Sequence, residues 1–65
     1  MNYPTHCDIC GNPIYNIFID GRTRNGTWAN MCKSCHDELG VGLGTGYGQE
    51  YWLDPTTGVF VKVDG

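Results

Sequence analysis

Four cysteines carry the clearest chemistry in this chain, and they stand as two pairs: Cys7-Asp8-Ile9-Cys10 and Cys32-Lys33-Ser34-Cys35, with 21 residues between the pairs. Two residues between cysteines let one tight turn aim both sulfurs at a single ion, and two such turns supply the four thiolates of a tetrahedral Zn²⁺ site. Gly11 follows the first pair and meets the need for a positive φ as the backbone leaves the second sulfur. The second pair opens Cys32–Leu39, which reads as a short helix stopped by Gly40. A first-turn position sets its thiolates beside the positive end of the helix dipole.

The same cysteines could serve other chemistry. Disulfides allow three connectivities, but the N-terminus has no apolar signal segment, and two internal C-x-x-C bridges would staple little chain. A thiol redox enzyme needs one reactive pair on a βαβ frame, a pattern missing here. A catalytic zinc keeps an open position, which four thiolates would fill. His6 and His36 flank the pairs as substitute ligands for a Cys₃His site, although the cysteine set is already complete. The expected cofactor is therefore a structural Zn²⁺ on Cys7, Cys10, Cys32 and Cys35.

The size of the chain explains why a staple is needed. With 65 residues there is room for one domain, and hydrophobic burial roughly cancels chain entropy at this length. A structural zinc contributes roughly 10–16 kcal/mol in small domains, so the metal-free chain is expected to be largely unfolded. The net charge of −3 and a pI near 4.9 argue against a sequence-independent grip on nucleic acid. A set of four thiolates with one divalent cation makes the loaded chain more negative still. No apolar run is long enough to span a membrane. These features set the expectation of a cytoplasmic protein.

The positioning elements follow from local pattern. Residues 14–19 are rich in strand formers, residues 20–26 hold Asp-Gly and Asn-Gly turn signals, and residues 27–31 read as a return strand. A symmetric register would place Phe18 opposite Trp28. Residues 40–48 carry glycine at every second place; the segment lacks the G-x-G-x-x-G and Gly-Lys-Ser/Thr patterns of phosphate loops. It reads as a packed or flexible loop beside the metal, or as one that orders on a partner. Residues 50–63 read as a second hairpin around a five-residue turn, 54–58. Its symmetric register sets Glu50 opposite Lys62, Trp52 opposite Phe60, Tyr51 opposite Val61 and Leu53 opposite Val59.

The knuckle, the hairpin and the second C-x-x-C opening a helix resemble the treble-clef zinc finger across residues 6–40. The Met31–His36 segment after Trp28 is similar in outline to the GATA-type finger, but the linker is longer and that finger's DNA-contacting basic residues are missing. The resemblance implies the metal role for the four cysteines and not the DNA role. The strings Asp20–Thr23, Trp28–Cys32 and Gly40–Gln49 resemble small zinc-finger proteins of tailed bacteriophages over about residues 7–51. That resemblance implies an origin and no activity.

The expectation is a small metal-stabilised α+β domain, treble-clef-like, with two β-hairpins and one short helix. One domain spans 1–65: the zinc finger 6–40, a glycine-rich loop 41–49 and a C-terminal hairpin 50–63. No catalytic constellation is visible; Asp37 and Glu38 are neighbours on the helix and read as a solvated face. The expected function is a non-enzymatic zinc protein that binds another protein, on a host or phage complex, through Trp52, Phe60 and Tyr47. The alternative is a nucleic-acid-binding finger using Arg22 and Arg24 on the first hairpin.

Overall fold

The computed structural model describes residues 3–65. In chain order these form β1 (Ile17–Arg22), β2 (Trp28–Met31), α1 (Lys33–Leu39), β3 (Gly48–Asp54) and β4 (Val59–Asp64). This is a small α+β fold with both expected hairpins. They do not stand apart: β1 also pairs with β3, giving one antiparallel sheet of order β2-β1-β3-β4. Helix α1 packs on β1 and β2. No helix among the described residues is long and apolar enough to cross a membrane.

Both hairpin registers differ from the symmetric expectation, and the turns explain why. In the first hairpin Ile19 faces Met31 and Arg22 faces Trp28, so Phe18 does not meet Trp28. The strand runs on through Asp20-Gly21 and turns at Thr23–Thr27, where the Thr23 N–H donates to the Thr27 carbonyl at 2.8 Å. The Asn25 side chain accepts from the Thr23 hydroxyl and the Thr27 N–H, and Gly26 takes φ 92°. Gly21 lies in mid-strand opposite Gly48, and it is Gly48 that has no room for a side chain: a Cβ there would lie 3.1 Å from both the Gly21 Cα and the Gly42 carbonyl oxygen.

In the second hairpin Asp54 belongs to the strand and not to the turn. Its carboxylate accepts the Thr56 N–H at 2.8 Å, its carbonyl accepts the Gly58 N–H at 2.8 Å, and it pairs with Val59. That one-residue slip sends alternate side chains to the other face. Trp52 therefore faces Val61, Leu53 faces Phe60 and Tyr51 faces Lys62. The expected Trp52/Phe60 and Glu50/Lys62 pairs do not form. Glu50 lies between Ile19 and Asp64, and a register shift beside it leaves Val63 as the extra residue of a bulge.

Each sheet face gathers its own cluster. Ile19, Ala29 and Met31 occupy one face, and the last two pack against Cys7 and Cys35. Ile19 and Met31 are the largest fully buried side chains. On the opposite face Phe18 stacks on Tyr51 at 4.9 Å between ring centroids and meets Phe60 edge-on, while Tyr3 meets Phe60 edge-on in turn.

Helix α1 ends at Gly40 as expected, but not through a left-handed cap: Gly40 has φ −74° and ψ 162°. Glycine is required there by space. A Cβ would intrude on the His36 ring and lie 2.7 Å from the His36 carbonyl oxygen. The His36 Nε2–H donates to the Gly42 carbonyl at 3.0 Å and so ties the glycine-rich segment to the helix. Gly40→Ala is expected to destabilise the loaded domain by about 1–3 kcal/mol. Thermal melts check this, and His36→Ala in the same chain should recover part of the loss by removing the ring.

Candidate metal centre

The two cysteine pairs, far apart in sequence, meet above Met31 and Ala29. The sulfurs of Cys7, Cys10, Cys32 and Cys35 all lie within 4.8 Å of one another. Cys7, Cys10 and Gly11 form the first knuckle: the Gly11 N–H donates to the Cys7 carbonyl at 3.0 Å, and Gly11 takes the left-handed φ of 77° its position demands. The knuckle is tied to β2 through Asp8, whose N–H donates to the Asn30 carbonyl and whose carboxylate accepts the Asn30 N–H, both at 2.9 Å. The second pair is set by the helix, with Cys32 as its N-cap and Cys35 one turn inside.

The donor set fits a soft or borderline divalent cation. All four residues are free thiols. The Cys10 and Cys32 sulfurs are 3.8 Å apart, which is about the edge of a tetrahedron with ~2.3 Å metal–sulfur bonds. Cys7 and Cys35 are buried, Cys32 is half-buried and Cys10 is exposed, so the cluster is closed beneath and open at one corner.

Charge is unevenly shared among the sulfurs. Burial opposes a thiolate at Cys7, yet the backbone N–H groups of Cys10, Cys32 and Ile9 and the Cys10 thiol outweigh it and bring Cys7 from 9.0 down to about 6. The Ile9 N–H stands 3.4 Å from that sulfur. At Cys35, burial and the neighbouring cysteines push the thiol well up. Four thiolates this close repel one another unless a cation lies among them, and a bound cation reverses that preference for protonation.

The histidines stand outside this group. His6 is exposed, with Nδ1 3.0 Å from the Thr5 hydroxyl, and His36 is spent on Gly42. The three residues expected to touch a partner do not form one patch. Trp52 is half-exposed on the face shared with Val59 and Val61, and its indole N–H donates to Glu50 Oε2 at 2.7 Å. Phe60 lies on the other face, in the aromatic cluster. Tyr47 is half-exposed in the glycine-rich segment, over the Arg22 guanidinium at 5.8 Å. Arg22 is thereby drawn to Tyr47, while Arg24 lies in the β1–β2 turn and lines a cleft of about 280 Å³ with Ile9 and Leu39.

The cleft was not legible in the sequence, because its walls come from the knuckle, the turn and the helix end. The one sequence signal that points toward it is Ile9 itself, a large aliphatic between the two cysteines of a metal knuckle. No family model matches this chain, and neither a curated protein nor a solved structure matches it.

Proposed function

We propose that the chain is a zinc-stapled, treble-clef-like module that carries no catalysis and docks onto another protein. The gathering of four thiols into one cluster of tetrahedral scale supports zinc. A thiolate metal site suits a reducing compartment, and we assign the cytoplasm. An origin among phage zinc-finger proteins is carried by the sequence strings of residues 7–51, with a host or phage assembly as the partner.

Docking is supported by the outer part of the sheet. Trp52, Val59 and Val61 lie on one face at 43–49% exposure, beyond the strands that α1 covers. Half-exposed aromatic and β-branched side chains held on a rigid sheet suit the core of a protein interface. The acidic chain and the attachment of Arg22 to Tyr47 weigh against the nucleic-acid alternative.

Capture from native-host extract by the zinc-loaded chain tests this. Protein capture should persist at high salt and fall with Trp52→Ala. Recovery of nucleic acid alone, with binding that falls steeply as salt rises, would replace this reading with the alternative.

A further inference from the structure

We infer that the cleft between the first cysteine knuckle and the β1–β2 turn is a pocket for one bulky aliphatic side chain of an acidic peptide. The inference rests on the protein-docking reading but places a contact at residues other than Trp52, Val59 and Val61. The cleft is lined by Ile9, Thr23, Arg24, Asn25, Thr27 and Leu39. Its volume, about 280 Å³, falls just short of the ~300–1,000 Å³ of small-molecule sites and suits a single side chain.

The walls are apolar and fixed in place. Ile9 and Leu39 are both large aliphatics left exposed, at 44% and 37%. Ile9 is held by its N–H against the Cys7 sulfur, and the Leu39 carbonyl accepts the Arg24 N–H at 2.9 Å, which locks the helix end to the turn. A preformed apolar cavity loses little entropy on filling.

The rim selects for charge. The Asn25 side-chain oxygen is occupied by the Thr23 hydroxyl and the Thr27 N–H, which leaves its NH₂ group as a donor. Arg24 offers only donors, and the ion pair among the described residues is Lys33–Asp37, elsewhere on the helix. Arg24 has no carboxylate partner among the described residues, and a lone guanidinium lining an apolar pocket complements a ligand that carries carboxylates beside its apolar group, a local attraction that works against the chain's overall negative charge.

The test is a titration of the ¹⁵N-labelled, zinc-loaded chain with acetyl-Gly-Glu-Leu-Glu-Gly-amide at low salt. Saturable shifts are expected at the Ile9, Arg24, Asn25 and Leu39 amides, with millimolar affinity. Replacing the peptide leucine by serine, or both glutamates by lysine, should abolish saturation. Arg24→Glu, at an exposed turn position, should weaken binding roughly fivefold to tenfold while zinc stoichiometry stays unchanged. The inference is overturned if the folded, loaded chain shows no saturable shift, if the shifts centre on Trp52 and Val61, or if Arg24→Glu binds as tightly as the parent. Retention of a Trp52-dependent partner in any of those cases leaves the docking reading standing. A chain that takes up no metal overturns both, since the Ile9 wall hangs on the knuckle.

Discussion

Loaded with one Zn²⁺ per chain, the protein should melt in a single cooperative transition, and excess chelator should abolish that transition. The expected effect is large because metal binding supplies roughly 10–16 kcal/mol to small zinc domains, while whole domains are stable by only about 5–15 kcal/mol. Cys35→Ser should have the same consequence even with zinc present, since Cys35 is buried against Met31 and Ala29 and no other described side chain joins the cluster. Cys10→Ser, at the exposed corner, should weaken zinc binding with less damage to the core.

Acid should release the metal. A cysteine whose pKa is lowered in the folded state adds stability that is present above its unfolded value and is lost as pH falls through the folded one. Cys7 is drawn from 9.0 to about 6, so its contribution is lost as pH drops through about 6. At Cys35, burial and the neighbouring cysteines favour the protonated thiol until a cation is present. Zinc must displace that proton, so loading should tighten as pH rises. Circular dichroism with and without chelator, and zinc release followed against pH, check these expectations. A metal-free chain that keeps a cooperative melt in chelator would sink the proposed role of the cluster.

Met31→Ala should have the next largest effect. Met31 is fully buried, faces Ile19 across the sheet and packs beneath Cys7 and Cys35. Truncating such a side chain costs about 2–5 kcal/mol through lost burial and the cavity left behind. In a domain of this length that lowers the melting temperature by roughly 10–40 °C. Folding and metal capture are one equilibrium here, so apparent zinc affinity should fall at least about tenfold as well. Met31→Leu keeps the volume and should cost less than about 1.5 kcal/mol. Equal melting temperatures for the parent and the alanine variant would show that the metal alone carries the fold.

The parts legible in the sequence were those fixed by local chemistry. The C-x-x-C spacings placed all four thiols, and Cys32–Leu39 with Gly40 beyond it matched the helix within one residue. What escaped depended on partners distant in sequence. Asp20-Gly21 reads as a turn, yet it is strand, because Asp20 and Gly21 pair with Gln49 and Gly48 from the far side of the glycine-rich segment. Asp54 looks like the first turn residue, but its side chain caps the turn from inside the strand. That single position decided which face received Trp52 and which received Phe60, and so divided a patch that composition alone would have joined.

The sheet order has a kinetic consequence. β1 reaches β3 only across the whole stretch that holds β2 and α1, so an unliganded chain must close a long loop before that pairing gains anything. A cation bridging Cys10 and Cys32 shortens the search by first tethering the ends of the β1–β2 hairpin and then presenting β1 as a ready edge. β3 and β4 would then dock as a pair, an order in which ion capture precedes the joining of the C-terminal hairpin.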